Sequence, residues 1–354
     1  MQDDERPTDE PSRDSHPTPH PVTDDAPAKQ RPRGRRRFRK TKIAAVVLAL
    51  VFLVGAFTLR TPSPVGHWDS AEGQDQFLSA YEEAFTQMPQ VDDTFDVRTD
   101  FGVVRFYRFA GSGDAHHPLV LLPGRASASP VWADNMVPLL QIGDVYTVDL
   151  LGEPGMSIAE RPISTDAEQA QWLHQALIGL PEDQFHLVGL SIGGWNTVNL
   201  ALHHPETVAS MSLLDPVFVF DDMPLGTVIR SIPASLPWLP KSWRDSFNSY
   251  TAGGAPVEDE PVAQMIEAGM QHYTLRLPQP TRIEPEGLGA LDMPVMAIIA
   301  GDSVMLDATA AYQTAVAALP QGTIHLYEGA SHAVNGEQPA QVAEDIEAFL
   351  ANVE

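Results

Sequence analysis

The sequence predicts a doubly wound α/β fold: a mostly parallel sheet with helices on both faces. Three observations point there. From Pro118 onward, short apolar runs alternate with stretches of helical periodicity. One of those runs, Phe185–Leu190, passes directly through Gly189-Leu190-Ser191-Ile192-Gly193 into a helical stretch; this strand, sharp turn, helix order presents a serine at the carboxyl edge of a sheet. Finally, 354 residues accommodate one α/β domain of ~250 residues with appendages.

The appendages come first. Residues 1–42 are rich in Pro, Asp, Glu and Ser and turn basic over 31–42, with eight Lys or Arg between Arg31 and Lys42. They hold too little apolar surface for a core and are expected to be disordered. Residues 43–59 are 17 uncharged, mostly apolar residues closed by Arg60, within the ~17–25 that span a bilayer as a helix. The basic flank predicts a single-pass signal anchor with a cytoplasmic N-terminus and everything after it extracytoplasmic. Val54-Gly55-Ala56 is the alternative, a cleavage site that would release a secreted protein. Residues 60–75 read as a tether and 76–354 as the folded domain.

Charge narrows the partners. Beyond residue 42 there are 11 basic and 39 acidic side chains, a formal net of −28. Such a surface repels nucleic acid and polyanions and favours a neutral or cationic small molecule. The chain has no cysteine, which excludes disulfides, thiolate metal sites and a cysteine nucleophile. No cofactor or metal is expected, and oligomeric state is not readable.

Within the domain, Phe77, Tyr81, Ala84, Phe85 and Met88 recur at helical spacing. Phe95–Thr99 and Val103–Phe109, joined by Asp100-Phe101-Gly102, predict an antiparallel hairpin. Strands follow at Pro118–Leu122, Asp144–Leu151, Phe185–Leu190, Val208–Leu214, Pro294–Ala300 and Thr323–Tyr327. Helices are expected at Ser129–Gln141, at Asp166–Leu180 with Thr165 or Asp166 as cap, at Gly194–Pro205, at Ala308–Leu319 and at Gln341–Val353. An irregular insertion of about 218–291, with Trp238, Trp243, Met265, Met270 and Tyr273, interrupts the alternation. Leaving from the carboxyl edge of the sheet, it is expected to lie over Ser191 as a lid.

A serine hydroxyl needs a base, and the base needs a carboxylate that fixes its tautomer. Of the 12 histidines, His332 sits in a loop between the last strand and last helix, at the same sheet edge as Ser191. His186 and His325 lie in strands, His203-His204 at a helix end and His116-His117 in a loop. Three aspartates follow strand ends at that edge. Asp302 is preferred because it lies nearest its strand end, followed by Asp215 and then Asp307. Oxyanion donors are expected from the backbone N–H groups of Ile192 and of Arg125, the latter in the turn after Leu121-Leu122-Pro123-Gly124.

Taken together, these stretches resemble the α/β-hydrolase superfamily: LLPGRASAS the oxyanion loop, VDLLGEPGMS the loop after the next strand, GLSIGG the nucleophile elbow and GASHAVNGEQP the histidine loop. The likeness runs from about Thr94 to the C-terminus and is nearest to the bacterial carboxylesterase-like branch. It departs at Pro123, where the family usually has His. It departs again at Asp302, which directly follows Gly301 where the family usually has two intervening residues. The resemblance implies an α/β-hydrolase fold and hydrolysis of a carboxylic ester through an acyl-enzyme on Ser191. A peptidase or amidase of the same fold, with Glu258-Asp259-Glu260 holding an amine, and a catalytically silent binding protein are the alternatives.

Overall fold

The computed structural model describes residues 42, 45–49, 63–236, 238–257 and 260–353. The chain divides into two units, residues 1–62 and 63–354. In the first, Lys42 and residues 45–49 are helical. Most of the expected spanning segment 43–59, like the expected disorder of 1–41, lies outside the described residues. No helix among the described residues is long and apolar enough to cross a membrane.

The second unit opens with β1 (His67–Trp68) and α1 (Ala71–Phe85). The stretch read as a tether up to residue 75 therefore carries a strand and the first turn of a helix. Ser70 caps that helix by accepting from the Gly73 N–H at 3.0 Å, a local signal too short to outweigh the Pro/Gly/Ser content around it. Next come β2 (Asp93–Thr99), β3 (Gly102–Phe109), β4 (Leu119–Leu122), a 3-10 turn (Ser129–Trp132), α2 (Ala133–Leu139), β5 (Val145–Val148), β6 (Ile158–Ala159) and α3 (Asp166–Leu177). The elbow joins β7 (Phe185–Leu190) to α4 (Ile192–His203), followed by β8 (Val208–Leu214). The insertion folds as α5 (Leu225–Ala234), α6 (Lys241–Thr251), α7 (Pro261–His272), β9 (Tyr273–Thr274) and α8 (Pro285–Leu288). The chain closes with β10 (Val295–Ala300), α9 (Ala308–Ala318), β11 (Thr323–Tyr327), α10 (Val334–Glu337) and α11 (Pro339–Val353).

Among the described residues the main sheet runs β11-β10-β8-β7-β4-β5-β3-β2, with β6 beside β3. It is parallel from β11 to β5 and antiparallel where β3 meets β5 and β2. Alternation along β4 shows why helices cover both faces. Val120 and Leu122 join one core with Trp172, Trp195 and Leu200. Leu119 and Leu121 join the other with Phe77, Trp132 and Phe349. Successive side chains point to opposite faces, and all four are fully buried. The chain moves from β4 outward to β5, then returns to β7 on the other side of β4. That reversal opens a crevice at the carboxyl ends of β4 and β7, where ligands bind in such sheets.

Candidate active site

Ser191 occupies the crevice at the end of β7. Its backbone has φ 54° and ψ −116°, a left-handed conformation that a side chain rarely adopts. The chain tolerates it because the neighbours are glycines. A Cβ on Gly189 would lie 2.6 Å from Gly193, and one on Gly193 would lie 2.1 Å from the Leu122 carbonyl oxygen. The Ser191 N–H donates to the Leu214 carbonyl at 3.0 Å, which ties the turn to β8. Ile192 opens α4, so its N–H has no partner one turn back and points from the positive end of the helix.

The histidine loop brings His332 to the serine, with His332 Nε2 2.9 Å from Ser191 Oγ. The other ring nitrogen, Nδ1, donates to Asp215 Oδ2 at 2.6 Å. This pairing sets the tautomer: with the proton on Nδ1, the Nε2 lone pair faces the serine hydroxyl. Asp215 is fully buried and accepts two further hydrogen bonds, from the Ala300 N–H at 3.0 Å and the Ser303 hydroxyl at 2.6 Å. Its own loop is held by its N–H donating to the Ile298 carbonyl at 2.8 Å.

The preferred carboxylate, Asp302, is corrected by this geometry. Its N–H donates to the Ala330 carbonyl at 2.9 Å, and its side chain is solvent-exposed. The short Gly301-Asp302 turn is pinned to the strand beside it, since the Gly301 N–H donates to Tyr327 O at 2.9 Å. Ser303 is then the residue of that loop that turns inward, and it reaches Asp215 rather than His332. Asp307, the third candidate, caps α9 by accepting from the Ala310 N–H at 3.0 Å. The second candidate, Asp215, is the one brought to the histidine. Its signal in the sequence is an Asp-Pro pair directly after the apolar run of β8, at a position with φ 42° that aspartate adopts more readily than most residues.

On the other side of the crevice, a Cβ on Gly124 would lie 3.6 Å from Ser191 Cβ, so the turn after β4 stands beside Ser191. The Arg125 side chain does not reach into open solvent alone: Nη1 lies 3.2 Å from Glu153 Oε1. Glu153 is 2 % exposed and its second oxygen accepts from the Ala126 N–H at 3.1 Å. Sequence reasoning passed over this residue, although it stands in the loop after β5 singled out as family-like. Farther along the same turn, buried Asp149 accepts from the Ser129 N–H (2.8 Å) and hydroxyl (2.7 Å), from the Met156 N–H (2.8 Å) and from the Tyr81 hydroxyl (3.0 Å). The turn that carries Gly124 and Arg125 is thus fastened by two carboxylates from one loop.

Burial pushes both carboxylates above their ordinary pKa, against the lowering effect of their hydrogen bonds and, for Glu153, of Arg125. A carboxyl raised in the folded state binds its proton preferentially there, so its contribution grows as pH falls toward its unfolded value and shrinks as pH rises through the folded one. The melting temperature of wild type relative to Glu153→Gln is expected to increase as pH is lowered from neutrality, read by thermal unfolding of both at matched pH. A gap independent of pH would contradict the assignment. The Asp149 contribution is common to both proteins and cancels.

The remaining histidines have other partners. His186 Nδ1 lies 2.7 Å from Ser210 Oγ, and His116 and His117 rings pack edge to face. Among the described residues, His174, His204 and Glu206 are the one group whose donor atoms lie close enough to share an ion, within 4.8 Å. The two rings stack at 4.2 Å with 7° between planes. One ring nitrogen of each, His174 Nε2 and His204 Nδ1, lies 3.5 Å from Glu206 Oε1.

A serine on a strained strand-to-helix turn, a His–Asp pair behind it and a crevice at the switch point of a doubly wound sheet define a nucleophile-elbow protein. Residues 119–345 match the alpha/beta hydrolase family, and the chain belongs to it. A Bacillus subtilis (strain 168) protein described as an uncharacterized carboxylesterase, nap, is 26% identical over 282 residues, covering 78% of this chain and 92% of that protein. The crystal structure of naproxen esterase from Bacillus subtilis is 25% identical, with a TM-score of 0.72 over 79% of this chain and 99% of that one. The Bacillus subtilis carboxylesterase CesB (YbfK) shares the fold at a TM-score of 0.72 and 24% identity, over 80% of this chain and 99% of that one.

Proposed function

We propose that this protein hydrolyses carboxylic esters through an acyl-enzyme on Ser191. The observation that carries the reading is the continuous relay Ser191 Oγ, His332 Nε2, His332 Nδ1, Asp215 Oδ2, at 2.9 and 2.6 Å; the carboxylesterases among its relatives supply the substrate class. As Ser191 Oγ bonds to the ester carbonyl carbon, its proton passes to His332 Nε2. Asp215 stabilises the resulting imidazolium and remains ionised. The carbonyl oxygen becomes an oxyanion in front of the Ile192 and Arg125 N–H groups, each such donor worth ~10²- to 10³-fold in rate. When the intermediate collapses, the C–O bond to the alcohol breaks and His332 returns the proton to the departing oxygen. Water then attacks the acyl group with His332 again as base, releasing the acid and restoring the serine.

In the same reading the 218–291 insertion serves as lid, residues 43–59 anchor the protein in a membrane, and the folded unit is extracytoplasmic. A fluorophosphonate probe is expected to label Ser191 in wild type and to leave Ser191→Ala unlabelled; absence of labelling in the folded wild type would overturn the acyl-enzyme. The net charge of −28 beyond residue 42 selects among esters. Neutral esters are expected to turn over faster than polyanionic ones at low ionic strength, with the difference shrinking as salt screens it.

A further inference from the structure

The insertion carries an apolar surface that the hydrolytic site does not use. Leu225, Val228, Ile229 and Ile232 follow one another at i, i+3, i+4 and i+7 along α5 and are 38–73 % exposed. Trp238 (76 %) and Trp243 (50 %) follow in the next turn and helix, and α5 packs against α6. In the unit 63–354, these six are half of the twelve described large apolar side chains that are exposed; the rest are scattered along the chain.

Charge marks the same stretch. Residues 223–244 contain Arg230, Lys241 and Arg244 and no acidic residue, in a chain whose remainder after residue 42 is strongly acidic. Arg230 lies over the Tyr250 ring at 4.3 Å, Lys241 pairs with Asp245, the acid that ends the stretch, and Arg244 is buried against Glu267 and so is not part of the surface. A surface that is apolar, carries two exposed tryptophans and has no carboxylate from 223 to 244 fits a lipid interface. Indole rings are favoured there, and anionic headgroups repel acidic side chains.

The surface adjoins the chemistry. The hydroxyl of buried Thr227, on the inner side of α5, donates to the Val304 carbonyl, next to the Ser303 that binds Asp215. A Cβ on Gly253, just past α6, would lie 3.2 Å from Ser331 Cβ, beside His332.

We propose that the exposed face of α5, with Trp238 and Trp243, seats on a lipid bilayer, and that the site draws an ester whose acyl chain resides in that bilayer. This rests on the reading of Ser191 as an esterase nucleophile and of 43–59 as an anchor. The other occupants of such a face, a second copy of this chain or the apolar run itself, predict different outcomes.

The test uses the full chain reconstituted in phosphatidylcholine vesicles with or without brominated acyl chains. Tryptophan emission is expected to be quenched by the brominated lipid, and the quenched component is expected to disappear in Trp238→Phe/Trp243→Phe. Trp132, Trp172 and Trp195 are buried in the folded unit and serve as its internal reference. Equal quenching in wild type and double variant overturns the proposal. Mass doubling in detergent that Ile229→Glu/Ile232→Glu abolishes, without this quenching, also overturns it, in favour of a second copy.

With the same glutamate variant, turnover of a long-chain ester held in the vesicles is expected to fall by about tenfold or more, while a water-soluble short-chain aryl ester is hydrolysed at the wild-type rate. Equal change on the two substrates overturns the substrate assignment. Quenching is read without turnover, so a failure of the esterase reading, seen as no hydrolysis of either ester by wild type, remains distinguishable from a failure of docking.

Discussion

Asp215→Asn is expected to lower kcat on a soluble ester by about 10⁴-fold, while Asp302→Asn stays within a few-fold of wild type. The asymmetry follows from what each side chain touches. At position 215 an asparagine keeps its oxygen for the Ala300 N–H, now 3.0 Å away, and presents its amide nitrogen to His332. The imidazole must then accept at Nδ1 and carry its proton on Nε2, which aims a donor at Ser191 and removes the base. The fold should survive, because asparagine shares aspartate's tolerance of the φ of 42° found here. Asp302 contributes only its backbone N–H, which the substitution retains. Steady-state kinetics of the two variants, with circular dichroism to verify folding, gives the answer; a large loss at 302 together with a mild one at 215 would reverse the assignment.

How far the site was legible depended on how local each signal was. Ser191 stands in a five-residue pattern whose glycines are needed within that same turn, and the alternation that builds the sheet is written residue by residue along strands such as β4. His332 follows from its place between the last strand and last helix. The acid was harder because it is selected by contacts 88 and 117 residues away, those of Ser303 and His332 with Asp215. Three strand-end aspartates satisfied the local condition, and nearness to the strand end favoured Asp302, the wrong one. What separated them was that Gly301-Asp302 is pinned to the turns around Tyr327 and Ala330, and no spacing in the sequence encodes that.

The same non-locality hid Glu153. Its partners, Arg125 and Ala126, lie 28 and 27 residues earlier in the chain, and only the fold brings a buried carboxylate under the turn after β4. The apolar repeat of α5 at Leu225, Val228, Ile229 and Ile232 lies inside an insertion read from the sequence as irregular, because the helix is only ten residues long and carries Pro233 near its end. Whether that repeat faces inward or outward is a tertiary fact, and here buried Thr227 marks the inner side.

Removing the nucleophile separates activity from stability. Ser191→Ala is expected to lose about 10⁶-fold in kcat, since His332 then has no hydroxyl to deprotonate. Its stability should stay near wild type: the methyl keeps the Cβ, and so keeps the backbone strain at φ 54° and ψ −116°. What is lost is the hydroxyl's bond to His332, of the order of 1 kcal/mol. Ser191→Gly is equally inactive but has no Cβ to oppose that conformation. It releases strain of about 1–3 kcal/mol, offset by roughly 0.5–1 kcal/mol for the greater freedom of glycine in the unfolded chain. The glycine variant should therefore unfold at higher denaturant than the alanine variant, with both dead in ester hydrolysis. If the two unfold together, the elbow is not strained; if glycine unfolds first, the strain has been assigned to the wrong state. A site that stabilises the protein when it is disabled is one whose conformation is held for chemistry by the rest of the sheet.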